Sequence, residues 1–278
     1  MEICVNEIED HIRLSERLSL LVRRVGVPQY DFDFRTYLRV SSIFERSTSP
    51  PALLRIGAIE DYQNLETEIA ATGFNLLQSY RQHLLASRLP EWYPVLSDIS
   101  PASKWYSKLP SATQIGETLG WPVFIKGERQ TSRHSASLSI ARTPSEFDRI
   151  CRNWRNEPIL HWQKMVCRKF LSLQRIGTSR GDEVPPSKEF RAFFYKGQLV
   201  GIGTYWQNVA WQPKPSERQG AIELASEAAR RLRVPFLVVD VALTEQGSWV
   251  VIECNDGQEA GYASINPLGM WQRIAELT

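Results

Sequence analysis

Cysteine is sparse and unpaired in this sequence. Cys4, Cys151, Cys167 and Cys254 are scattered through 278 residues with no CxxC spacing, so neither a zinc site nor a disulfide framework follows. Free thiols suit a reducing compartment, and each cysteine is expected to be a buried filler. His11, His83, His134 and His161 share no metal-ligand spacing, and no Ser-His-Asp arrangement stands out. Neither sign of charge is in excess, with 33 Lys and Arg against 31 Asp and Glu, which gives no pull toward a nucleic acid or a membrane surface. The tryptophans are not interleaved with a basic cluster, so they are expected in core and hinge packing rather than in base stacking. No apolar run approaches a membrane span, and the early acidic residues of MEICVNEIED do not read as a signal peptide. The expectation is a soluble, cytoplasmic protein. Glycine is absent between Gly127 and Gly177, and GxxxxGK followed by Ser or Thr occurs nowhere, which excludes a P-loop.

What is present is an alternation of short elements. Val5, Ile8, Ile12, Leu18, Leu21 and Val22 predict an amphipathic helix over residues 3–22, ended by Gly26 and Pro28. Residues 52–56 and 74–77 predict strands, and 62–71 and 79–89 predict helices, which argues for an α/β layer. Prolines 90, 94, 101 and 110 mark the best boundary. The chain is therefore expected to divide into an N-terminal α/β part, residues 1–100, and a second part, residues 101–278. In the second part, strands are predicted over 121–127, 136–141, 162–171, 189–195, 199–206, 236–243 and 249–255, with helices over 144–154 and 221–232. Lys196-Gly197 and Gln246-Gly247 are natural hairpin turns.

The last predicted hairpin carries the chemistry. If it is symmetric about Gln246-Gly247, Asp240 stands directly opposite Glu253, with Cβ atoms about 5 Å apart. Two such carboxylates repel unless something positive lies between them, and a one-residue slip would spoil the pairing. Asn255 shares the Glu253 face because strand side chains alternate. Asp240, Glu253 and Asn255 together offer hard oxygen ligands for magnesium. Lys126 ends a strand before Gly127 and is either a solvated strand end or a point charge for a phosphate. The polar loop over residues 128–135 is able to close over phosphates through its backbone amides. Arg191 lies on the strand EFRAFFYKG, on the face shared by Glu189, Phe193 and Tyr195. An arginine on a covered face needs an anion, and Glu189 and a ligand phosphate are equal candidates.

The ordered runs PVFIKG, VCRKFLSL, KEFRAFFYKGQLVGIGTYW and VDVALTEQGSWVVIECNDGQEAG resemble the ATP-grasp superfamily. The combination EFR with VVIECNDG resembles a bacterial clade of that superfamily named for two arginines and a lysine. A weaker similarity links the chain to a eukaryotic cell-division-cycle family of ATP-grasp assembly factors. The resemblance covers roughly residues 100–275 and implies an α/β (α+β) fold in which two sheet-containing subdomains clamp ATP, with a hinge near residues 166–172. Carried over by position, it implies that Lys126 contacts the α- or β-phosphate and that Arg191 meets the γ-phosphate or an intermediate. Arg168, Lys169, Phe170 and Leu171 would hold adenine by backbone hydrogen bonds and an apolar sandwich. Asp240, Glu253 and Asn255 would hold one or two magnesium ions. Lys104 is a candidate second phosphate lysine, and Asp182 and Glu183 are candidates for the ribose.

The expected activity is an ATP- and magnesium-dependent ligation in which a carboxylate is phosphorylated and an amine or similar nucleophile displaces the phosphate. The substrate would be a small molecule, a peptide or a protein. The alternatives are an Mg-ATP-binding assembly module and a phosphotransferase.

Overall fold

The computed structural model describes residues 8–23, 32–42, 50–57, 61–129, 135–158, 160–178 and 181–278. Three four-stranded sheets follow one another along the chain. The first contains β1 (Ile8–Ser15), β2 (Leu18–Arg23), β3 (Val40–Ser42) and β4 (Ala52–Arg55), in the order β3-β1-β2-β4, with the short helix α1 (Phe34–Tyr37) between β2 and β3. The helix expected near the start is thus a β-hairpin. The reason is that β2 is covered on both sides. Leu18, Leu20 and Val22 enter one core with Ile12, while Leu21 enters another with Ile8, and apolar residues on both faces imitate a helical period. Residues 74–77 form no strand, only an isolated bridge from Leu76 to Ala52.

Helices α2 (Tyr62–Ala71), α3 (Tyr80–Ser87) and α4 (Leu89–Leu96) follow. Asp61 caps the first, and Ser79 with Gln82 forms a capping box on the second. Pro90 sits in the first turn of α4, where a missing N–H costs nothing. Pro94 lies inside the helix, yet Trp92 and Leu96 enter the same core as the C-terminal sheet.

The second sheet has the order β5-β8-β6-β7. Its elements in chain order are β5 (Ser103–Tyr106), α5 (Ala112–Thr118), β6 (Val123–Gly127), α6 (Ala136–Ser139), β7 (Ile140–Ala141), α7 (Pro144–Trp154) and β8 (Met165–Lys169). The strand expected over 136–141 is reduced to its last two residues, because Asp182 receives the Ser135 and Ser137 hydroxyls and the Ser137 amide at 2.9 Å, holding the start of a helical turn. One face of this sheet packs Val123, Ile125, Met165 and Cys167 against α5 and α7. The other face carries Phe124, Lys126 and Arg168, because β6 and β8 pair Phe124 with Arg168 and Ile125 with Cys167.

The third sheet contains β9 (Glu189–Tyr195), β10 (Gln198–Thr204), β11 (Phe236–Leu243) and β12 (Trp249–Asp256), in the order β10-β9-β11-β12; α8 (Pro215–Leu232) precedes β11 and α9 (Pro267–Glu276) ends the chain. Lys196 and Gly197 turn the β9–β10 hairpin, both at positive φ, as expected of a primed turn. Phe190, Ala192, Phe194, Leu237 and Val239 pack against the alanine-rich side of α8. On the opposite face, Phe193, Tyr195 and Val238 pack against α9 and the first sheet, while Arg191, Asp240 and Glu253 stand on the same pleat beyond them.

Candidate functional site

The β11–β12 hairpin has the register on which the acidic pair depends, reached by an unexpected route. Its turn pairs Leu243 with Trp249 and Val241 with Val251, which centres it on Gln246 rather than between Gln246 and Gly247 and leaves the register one residue short. Continued unchanged, that register would set Ile252 against Asp240 and turn Glu253 to the opposite face. A β-bulge between Val241 and Asp240 absorbs one residue, and Asp240 pairs with Glu253. Bulges re-aim side chains in this way. Asn255 pairs with Val238, one step further along the Glu253 face.

Each carboxylate has a basic partner from another strand. Arg191 of β9 donates Nε and Nη2 to the two oxygens of Asp240 at 2.8 and 2.7 Å, a bidentate fork. The same guanidinium donates to the Gly261 carbonyl at 2.9 Å and lies over the Tyr205 ring at 5.0 Å. Burial pulls the Arg191 pKa down, but Asp240 outweighs it and holds the guanidinium charged. Lys126, only 4 % exposed, donates across the sheet interface to Glu253. The positive charge that two opposed carboxylates require is thus supplied by two protein side chains. The partner of Arg191 is Asp240, not Glu189 and not only a ligand.

Glu189 has a separate environment. It accepts hydrogen bonds from the Ser187 hydroxyl and, at 3.1 Å, from the Trp206 indole, and burial raises its pKa to about 7. It lines a cavity of about 430 Å³ between the second and third sheets, together with Phe124, Lys126, Ile140, Leu173, Val184, Trp206, Ile252 and Glu253. The run Arg168–Leu171 forms one wall. Within that run the Lys169 and Phe170 amides donate to the Ala102 and Pro122 carbonyls at 2.8 and 3.3 Å. Glu183 also lines the cavity, whereas Asp182 is engaged in capping α6. Arg191, Asp240 and Asn255 lie outside the cavity lining. Lys104 is exposed on the pleat opposite Lys126 and does not face the cavity. Thr131, Ser132, Arg133 and His134 of the polar loop lie outside the described residues.

A polar network behind β12 has little signal in the sequence. His83 Nδ1 lies 2.9 Å from Asp256, Gln258 donates to Tyr62 at 3.0 Å, and Arg129 reaches Glu259 at 3.0 Å. The run of polar residues immediately after the strand, DGQE, is the available clue; its partners at residues 62, 83 and 129 are distant in sequence. Among the described residues no three His, Cys, Asp or Glu side chains gather into a metal cluster, and no helix is long and apolar enough to cross a membrane.

Residues 103–274 match the family model for the ATP-grasp domain of family 3 in the clade named for two arginines and a lysine. No curated protein matches the chain in sequence. Among solved structures, a RimK domain ATP-grasp protein from Sphaerobacter thermophilus aligns at TM-score 0.55 and 16 % identity, covering 81 % of this chain and 80 % of that one. The ATP-grasp ligase PsnB, complexed with its precursor peptide PsnA2 and AMPPNP, aligns at TM-score 0.51 and 12 % identity, covering 86 % and 79 %. C-terminally truncated Cdc123 from Schizosaccharomyces pombe aligns at TM-score 0.46 and 14 % identity, covering 65 % of this chain and 87 % of that one.

Two outcomes are expected from this geometry. Asp240→Asn leaves the buried Arg191 charge uncompensated, so the ligand-free protein should lose on the order of 3 kcal/mol; a melting temperature unchanged within about 2 °C would contradict the pairing. Glu189 binds its proton more tightly folded than unfolded, so stability should fall as pH rises from about 4.5 to about 7. Melts across that window should show a decline of the order of 2 kcal/mol, and Glu189→Gln should flatten it while retaining both hydrogen-bond donors.

Proposed function

Because this chain belongs to family 3 of the ATP-grasp clade named for two arginines and a lysine, we propose that it is an ATP-dependent ligase that joins a carboxylate to an amine or similar nucleophile. The observation that carries this reading is the pairing of Lys126 with Glu253 and Arg191 with Asp240, two bases and two acids of two facing sheets, beside a cavity of nucleotide size. In the proposed complex, adenine lies between the apolar cavity walls, and the Leu171 amide reads its edge, since the two preceding amides are already engaged. Lys126 turns from Glu253 to the phosphate chain, and Arg191 faces the γ-phosphate. Glu183 and Glu189 are the cavity carboxylates available to the ribose.

The freed Glu253, with Asp240 and Asn255, presents oxygen donors of the kind magnesium takes, alongside phosphate oxygens and water. Magnesium bound there would neutralise charge on the transferring phosphoryl group. The substrate carboxylate attacks the γ-phosphorus, the bond to the β-phosphate oxygen breaks, and ADP leaves. An amine then attacks the acyl carbon, phosphate departs, and the amine proton passes to a base or to water. Lys126 and Arg191 act by positioning and by offsetting charge. PsnB, of similar fold, has been solved with a precursor peptide, and also with a minimal precursor, Mg and ADP, which supports a peptide or protein among the candidate substrates. A compartment with reduced thiols fits the free cysteines 151, 167 and 254.

Calorimetry with magnesium should give ATP binding well above GTP binding. ADP release should require a carboxylate and an amine and should yield an acyl-amine product. Arg191→Lys loses the planar fork and should lower turnover roughly 100-fold in folded protein. A phosphorylated product, or binding without turnover, would overturn ligation. Unchanged specific activity in Arg191→Lys would remove that residue from the reaction.

A further inference from the structure

The bulge that brings Glu253 to Asp240 is held from the opposite sheet. Arg168 lies on β8 and is 3 % exposed. Its Nη1 donates to the carbonyl of Ile252, the residue that the bulge takes out of register. Its Nε donates to the Ser103 hydroxyl of β5 at 3.0 Å. The Trp92 ring underlies the guanidinium, 5.8 Å from its centroid. The guanidinium is thus held by Ser103 of its own sheet and by Trp92 of α4, which packs in the core of the third sheet, and it grips the third sheet itself at the Ile252 carbonyl. That carbonyl belongs to the residue that would oppose Asp240 if the hairpin kept the register of its turn.

We propose that Arg168 is a positioning residue, which fixes the β12 bulge and thereby the face on which Glu253 is presented. The argument is one of register. A bulged residue is left out of the strand ladder, so its carbonyl needs another donor when buried. A charged donor in that role is worth about 1.5–3 kcal/mol, or roughly tenfold or more in a local equilibrium. If Arg168 lets go, the slipped register, with Ile252 opposite Asp240, becomes accessible. That slip would remove Glu253 from both Lys126 and Asp240. For metal binding the inference rests on the proposed role of Glu253, but the register itself can be measured without any ligand.

Amide exchange resolved by residue provides the test, on the ligand-free protein and on Arg168→Met and Arg168→Lys. Arg168→Met should lose roughly tenfold protection at residues 252–254, with β9 and the α8-facing residues of β11 unchanged. Arg168→Lys retains one donor and should recover part of it. In parallel, calorimetry of ATP with EDTA and with graded magnesium should show a rise in the magnesium half-saturation of Arg168→Met by about the same factor. Arg168 also lines the cavity, so ATP binding in EDTA is the reference for any loss through the cavity wall, and the loss with magnesium should exceed it by several-fold. Unchanged exchange at 252–254, protection lost evenly through both sheets, or equal weakening of ATP with and without magnesium would each overturn the proposal. If the exchange change appears but the parent shows no magnesium dependence, the metal reading of Glu253 fails and the positioning role stands. Should both Arg168 variants fail to fold, Ser103→Ala frees only the Nε end; a loss of roughly threefold at the same amides would support the proposal, and none would overturn it.

Discussion

The structure depends on charge compensation where two sheets meet. Lys126, Arg191, Asp240 and Glu253 come from four strands, and Asp240 and Lys126 are almost fully buried. An isolated charge in such a place costs several kcal/mol. Two acids alone would force the sheets apart or take up protons, and two bases alone would force the sheets apart, since a guanidinium keeps its proton. Together they balance, and the bidentate fork of Arg191 fixes their geometry. The same balance makes the site responsive, because a polyanion or a cation entering it changes the partner that each side chain prefers.

The pairing also explains how the parts of the molecule are joined. Lys126 reaches from the second sheet to the third, and Arg168 does so one strand away. Behind β12, the residues that follow the strand are held from the N-terminal side. Gln258 accepts from the Leu54 amide at 2.7 Å, Arg55 donates to the Gly257 carbonyl at 3.0 Å, and His83 meets Asp256. Arg191 holds the Gly261 carbonyl in the same loop. A loop tied on both sides by buried polar groups has little freedom to change conformation independently.

Much of the third sheet is legible from residues alone. Lys196-Gly197 announces its hairpin, the alternation in EFRAFFY separates a packed face from a charged one, and Asp240 and Glu253 are expected opposite each other. The start of the chain misleads because β2 buries apolar residues on both faces, so its pattern has no clean period of two. Residues 136–141 mislead because Asp182, more than forty residues away, provides the contacts that start a helical turn. The partner of Arg191 is hidden for a related reason: Asp240 lies 49 residues along the chain, and adjacency in the sheet is not adjacency in the sequence.

Which residue types are available, and which of them share a pleat, is written in the residue order, since side-chain alternation is a property of each strand alone. The same order sets the hairpin turns, where glycine permits positive φ, and the inventory of acids and bases at the strand ends. The tertiary structure alone decided which acid meets which base. It also decided the register of β12, since the turn leaves the pairing one residue short and the count is restored by a bulge whose carbonyl finds its donor on another sheet. Such a bulge has no local sequence signature, because the hydrogen bond that holds it is made across a gap of 84 residues.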